Sequence, residues 1–144
     1  MNTSFGAKLI SGLSFLVFSI QPALAEQAAF TPVQVVEEWI NTYPHNLERA
    51  VMLTSPTLRE DLTPNQWILA KKNALVEVNF KYMNRQIASM RNEGYQVLVT
   101  LNTHLSTING EEEQWELITL KPFCSIWLID EIVVMPVRHL TNAK

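Results

Sequence analysis

The spacing of apolar residues changes once along this chain, and that change constrains the fold more than any other feature. From Pro32 to about Leu75, apolar side chains recur every three or four positions, the spacing of one helix face. Beyond Val76 they recur every second position, the spacing of a strand with one buried face. There Val76, Val78, Phe80 and Tyr82 alternate with Glu77, Asn79 and Lys81. Helices followed by antiparallel strands predict an α+β domain with its helices packed on one face of a sheet.

Hydroxyl–proline pairs punctuate the helical half: Thr31-Pro32, Ser55-Pro56 and Thr63-Pro64. Each offers a side-chain oxygen to cap a helix and a proline whose missing N–H is harmless at the first helical position. The first helix is predicted over about Pro32 to Thr42, burying Val33, Val36, Ile40 and Tyr43, with Trp39 widening the apolar side and Pro44 ending the run. Asn46 caps a second helix that buries Leu47, Ala50, Val51 and Leu53, and a short turn follows Pro56. Thr63 and Gln66 have capping-box spacing, so a third helix starts at Pro64, carries Trp67, Ile68, Ala70 and Leu75, and gives way near Leu75.

A first strand is then expected through Tyr82, and a second from roughly Arg85 to Arg91. After Asn92-Glu93-Gly94, Tyr95, Val97, Val99, Leu101, Thr103 and Leu105 alternate over a long run. Asn109-Gly110 is a two-residue hairpin signal leading to Trp115, Leu117 and Thr119. Pro122 places a turn at Lys121–Ser125, because proline cannot donate into a central ladder. The last strand, about Ile126 to Val137, is apolar on both faces, as in a strand covered on both sides or central in its sheet.

Residues 1–25 read as a cleavable export signal: Lys8 as the only charge, an apolar stretch from Leu9 to Ile20, then Ala23-Leu24-Ala25 as a small-x-small site. That stretch is about a dozen residues, whereas a spanning helix needs about 20. The remainder, 26–144, is expected to be one soluble periplasmic or secreted domain. Losing Lys8 moves the net charge from −3 to −4, and the longest basic run is Lys71-Lys72, which argues against nucleic acid as a partner. Cys124 is the sole cysteine and has no disulfide partner within the chain.

The motifs Ser55-Pro56-x-Leu58-Arg59, Leu62-Thr63-x-x-Gln66-Trp67, Gly94-Tyr95-x-Val97 and Trp127-x-Ile129-Asp130-Glu131-Ile132, in this order of helices and strands, resemble the nuclear-transport-factor-2-like superfamily. The likeness covers nearly all of residues 31–137 and is narrower towards small exported bacterial domains of unknown function. It implies a curved antiparallel sheet wrapped around N-terminal helices, a cone with a pocket at its open end. It also makes Trp67 and Trp127 core anchors. The chain departs from the superfamily pattern at Pro122-Phe123-Cys124-Ser125 and at Lys71-Lys72-Asn73.

In that superfamily the pocket serves isomerases and dehydratases as well as binding modules without catalysis, so fold does not choose between them. An isomerase of this type needs a carboxylate base beside a tyrosine or a protonated acid. Tyr43, Asp61, Tyr82 and Asp130 supply the residue types, but nothing aligns them with a catalytic motif, and no catalytic residue is assigned. Asp130 has a plainer reading as a solvent-facing or paired acid. His45, His104 and His139 lack metal-site spacing, so neither metal nor cofactor is expected. His104, beside Gln96, Thr100 and Asn102, lines the pocket if that strand face turns inward. The pocket candidates are therefore Tyr43, Tyr82, His104 and Asp130. The expected function is non-catalytic binding of a small apolar ligand or a partner protein. The alternatives are an isomerase- or dehydratase-like enzyme acting on a hydrophobic substrate, and a structural homodimer subunit.

Overall fold

A computed structural model describes residues 29–137. The expected export signal and His139 lie outside the described residues. Helix α1 spans Pro32–Thr42, α2 spans Leu47–Ala50 with a 3-10 turn over Val51–Leu53, and α3 spans Pro64–Glu77. Four strands follow: β1 Lys81–Asn92, β2 Val97–Thr107, β3 Gly110–Phe123 and β4 Ile126–Pro136. They form one sheet in the order β1-β2-β3-β4, every pairing antiparallel. The α+β arrangement is thus the one that the change of apolar spacing implies.

Both capping boxes form. Gln34 N–H donates to Thr31 Oγ1 at 3.3 Å while Thr31 N–H donates to Gln34 Oε1 at 2.9 Å. Thr63 and Gln66 do the same at 3.3 and 3.0 Å. The buried face of α1 is rotated from the expected stripe: Val35, Val36, Trp39 and Thr42 are buried, while Val33 and Ile40 flank them. Trp39 has the largest apolar surface on the helix and takes the centre of the contact. Ser55-Pro56 starts no helix. Leu58 N–H donates to Ser55 Oγ at 3.1 Å, and the turn ends at Glu60 and Asp61, whose φ values of 53° and 59° are left-handed.

The helix-to-strand boundary lies further along than expected. α3 continues through Val76 to Glu77, and Asn79, at φ 49°, ends it in the left-handed conformation that asparagine tolerates. Phe80 N–H donates to Leu75 O at 3.0 Å and Asn79 N–H to Val76 O at 3.1 Å, which satisfies the last carbonyls of the helix. Val76 is 74% exposed, so its place in the apolar alternation is accidental.

The two expected early strands are one strand, β1, carrying register shifts between Tyr82 and Asn84 and between Ile87 and Ser89. Each shift is a bulge that inserts an extra residue and reverses the alternation beyond it. The β2–β3 turn centres on Ile108-Asn109, with Thr107 opposite Gly110; Gly110, at φ 112°, supplies the positive φ that opens β3. β3 runs through Pro122 to Phe123. Pro122 is tolerated because the β2 ladder ends where Val97 pairs with Leu120, leaving β4 as the only neighbour there. Only Cys124-Ser125 turn, with Cys124 at φ 56°.

β4 is an edge strand, so its two apolar faces do not come from a central position. Thr54 forms a parallel bridge to Ile129, and Ser55 N–H donates to Ile129 O at 2.9 Å, covering the first half of that edge. Val133, Val134 and Met135 in the second half remain 40–52% exposed. The core lies between the helices and the inner sheet face, where Val97, Val99, Leu101, Ile118, Leu120 and Ile129 meet Val35, Val36, Trp39, Leu47, Ala50, Val51 and Leu53. Burial of these aliphatic and aromatic side chains, each contributing about 1.5–3 kcal/mol, drives the helices onto the sheet. Among the described residues no helix is long and apolar enough to cross a membrane.

Candidate functional site

A cleft of about 390 Å³ opens where α1, α3 and the inner sheet face diverge. α1 contributes Trp39 and Tyr43, four residues apart and therefore on one helix face; their rings stack at 4.4 Å with planes 7° apart. From α3 come Trp67 and Lys71, again four apart. The Tyr43 ring also lies 6.4 Å from Trp67 and 6.3 Å from Tyr82, and Phe80 meets Tyr82 edge-on at 4.7 Å. Leu58 and Glu60, from the turn after Pro56, and Ile132 and Val134 of β4 complete the wall with Gln114 and Glu116 of β3.

The floor is a buried ion pair. Arg85 and Glu116 are 3% and 2% exposed, and Arg85 Nη2 lies 3.0 Å from Glu116 Oε2. The other carboxylate oxygen accepts from Tyr82 Oη at 3.0 Å and from Gln114 Nε2 at 3.3 Å. The Arg85 guanidinium carbon sits 3.8 Å from the centre of the Tyr82 ring, and its Nη1 donates to Tyr43 O at 3.3 Å. Tyr82 and Arg85 are three residues apart, so a regular strand would point them to opposite faces. The bulge at Met83 re-aims Arg85 inward, which places Tyr82 opposite Leu105 and Arg85 opposite Thr103 on the inner face.

Burial pushes the Tyr43 phenol up to about 12, with Arg85 opposing and Glu116 reinforcing the shift. Burial raises Tyr82 further, helped by the hydrogen bond to Glu116. Both phenols therefore stay protonated across the physiological range and act as donors. Tyr82 spends its donor on Glu116. No hydrogen bond engages Tyr43 Oη among the described residues.

Of the four residues proposed from sequence, Tyr43 and Tyr82 come together here. His104 points from the opposite sheet face and pairs with Glu111 Oε2 at 3.1 Å, beside Glu112 and Glu113. Asp130 occupies a bulge of β4 between Ile129 and Glu131 and lies away from the cleft. Its carboxylate accepts from Ser55 Oγ at 2.7 Å and pairs with Lys121 Nζ at 2.8 Å. Burial pushes the Asp130 carboxyl up, but the Lys121 and Ser55 hydrogen bonds outweigh it and hold the group below its usual range. Its role is to tie the Pro56 turn to the sheet, neither facing solvent nor facing the pocket. Asp61 is exposed in that turn. Among the described residues no group of three or more His, Cys, Asp or Glu side chains could hold a metal ion.

Glu116 was missed because the apolar Trp115 and Leu117 suggest the opposite facing for β3, and Arg85 because the bulge at Met83 decides which way it points. Trp67 is buried and Trp127 packs against the core, whereas Trp115 lies on the outer sheet face opposite Asn102 and Met135.

No protein-family profile matches this chain, and no curated protein matches it. Among solved structures, the fold is similar to that of Bd1075 from Bdellovibrio bacteriovorus, with 13% sequence identity and a TM-score of 0.57. The likeness covers 74% of this chain and 40% of that one, so this chain corresponds to less than half of that protein.

Proposed function

We propose that this chain is an exported binding domain of the nuclear-transport-factor-2-like type that holds a small, largely apolar molecule in its cleft without transforming it. One observation carries the non-catalytic reading: the carboxylate at the floor is already held by three donors. Glu116 takes Arg85 on one oxygen and Tyr82 and Gln114 on the other, which fills three of its roughly four acceptor sites and ties it into the wall rather than leaving it free as a base. Trp39, Tyr43, Trp67, Phe80 and Tyr82 meanwhile offer apolar and π surface to a guest.

Native mass spectrometry of the protein purified from its own compartment is expected to retain a bound small molecule. The neutral dye N-phenyl-1-naphthylamine should brighten on addition and be displaced by that molecule. A protein free of added mass that leaves the dye dark would end this reading.

The outer sheet face supports a second reading, a homodimer. Trp115 pairs across the sheet with Met135 and Leu117 with Val133, and Leu98 lies nearby on β2, which makes one contiguous apolar patch.

A further inference from the structure

The geometry points to an organic cation with a bulky alkylated ammonium head as the ligand class of the cleft, with Lys71 as the resident side chain that such a ligand displaces. The inference rests on the binding reading above and narrows it. Five aromatic rings line the cleft, and its charged lining residues are Glu60, Glu116 and Lys71. Arg85, which does not line the cleft, neutralises Glu116 from beneath. What remains at the mouth is Glu60 against Lys71.

Lys71 makes no ion pair among the described residues. Its ammonium instead sits 5.8 Å from the centre of the Trp67 ring, so the wall already holds a cation on an aromatic face. The side chain stands between the main cleft and a neighbouring groove of about 240 Å³ lined by Arg59, Leu62, Ala70 and Ala74, and this groove shares Leu58, Glu60, Trp67 and Lys71 with the cleft; the Arg59 guanidinium there is engaged by the Thr54 and Leu62 carbonyls. Lys71 can therefore swing from one space to the other about its flexible stem. Once it leaves, the mouth carries the Glu60 carboxylate and a ring face with no cation on it. A weakly hydrated alkylammonium fills that position with less desolvation than a lysine ammonium. An anion entering the cleft meets the Glu60 carboxylate and the negative ring faces, and a neutral guest forgoes the ring quadrupoles.

Three probes of nearly equal shape separate these cases: choline, 3,3-dimethylbutan-1-ol and 3,3-dimethylbutyrate. Titrations read from the indole N–H resonances of Trp39 and Trp67 should show choline binding about tenfold tighter than the alcohol, and the acid not at all. Lys71→Gln, at a half-buried position on α3, should tighten choline about two- to fivefold and shift the alcohol distinctly less. Glu60→Gln, on the exposed turn, should weaken choline by a similar factor. Equal affinity for choline and the alcohol, or an unchanged choline affinity in Lys71→Gln, overturns the cation inference. In that case dye binding and the retained mass still judge the binding reading independently. If the acid binds best, the sign of the assignment is reversed and the inference falls.

Discussion

Residue by residue, the floor of the cleft is where the chain takes the greatest energetic risk. A buried pair such as Arg85–Glu116 contributes little net stability compared with apolar residues of the same volume, yet removing one partner leaves a charge without compensation. Arg85→Met is therefore expected to destabilise the fold by about 3–5 kcal/mol in urea unfolding, and Arg85→Met/Glu116→Leu by distinctly less. Thr103 stands directly opposite Arg85 on the inner face, and its buried hydroxyl finds no partner among the described residues. Thr103→Val should accordingly raise stability by about 1 kcal/mol, since it removes an unsatisfied polar group and keeps the shape. Tyr43 adds a pH limit. The native state holds its proton up to about pH 12, while the unfolded chain releases it near the ordinary value of 10.0. Its contribution is whole below that value and disappears as the pH climbs towards 12, so Tyr43→Phe should flatten this part of the stability profile measured by circular dichroism.

Among the helices, α3 is the least anchored for its length. It buries only Trp67 and leaves Leu69 62% and Val76 74% exposed, whereas β2 buries five side chains along one face. Its amides should exchange with deuterium well before those of β2 and β3, by a sub-global opening that also widens the cleft. Its two ends rely on local chemistry. Thr63→Ala removes the N-terminal cap and should destabilise by about 1 kcal/mol. Asn79→Ala forces a Cβ-bearing residue without asparagine's local hydrogen bonding into a left-handed position and should destabilise by about 1 kcal/mol, while Asn79→Gly should be tolerated, which separates backbone strain from loss of the amide. The start of α3 was readable because a threonine-proline pair with glutamine three positions on is a strictly local signal. Its end was not, because Val76, Val78 and Phe80 satisfy a period of two by accident and the helix stop is a single backbone conformation at Asn79.

At the scale of the fold, among the described residues the sheet has one covered face and one bare one, and the second half of β4 is uncovered. If the outer patch joins two copies, sedimentation should report a dimer that Val133→Glu/Leu117→Lys converts to a monomer with the dye-binding cleft intact; a wild-type monomer at tens of micromolar would remove the assembly reading. The facing of β3 was in principle accessible from sequence. An antiparallel hairpin turning near Asn109-Gly110 sets the odd-numbered core residues of β2 against even-numbered residues of β3, which turns Glu116 inward and Trp115 outward whichever two residues occupy the turn centre. The hydrophobicity of Trp115 and Leu117 hid that consequence.

The order of helices and strands, three helix N-termini, the turns at Gly94 and Gly110 and the pairing of Tyr43 with one helix face follow from side-chain type and spacing alone, because they depend on neighbours within a few positions. Tertiary structure decided the rest: that β4 is an edge, that Asp130 ties a turn to the sheet, and that Arg85 joins Tyr82 and Glu116 beneath the cleft. Each of these depends on a bulge or on a contact across dozens of residues. A one-residue shift in register reverses which side chains meet, and no local pattern records it.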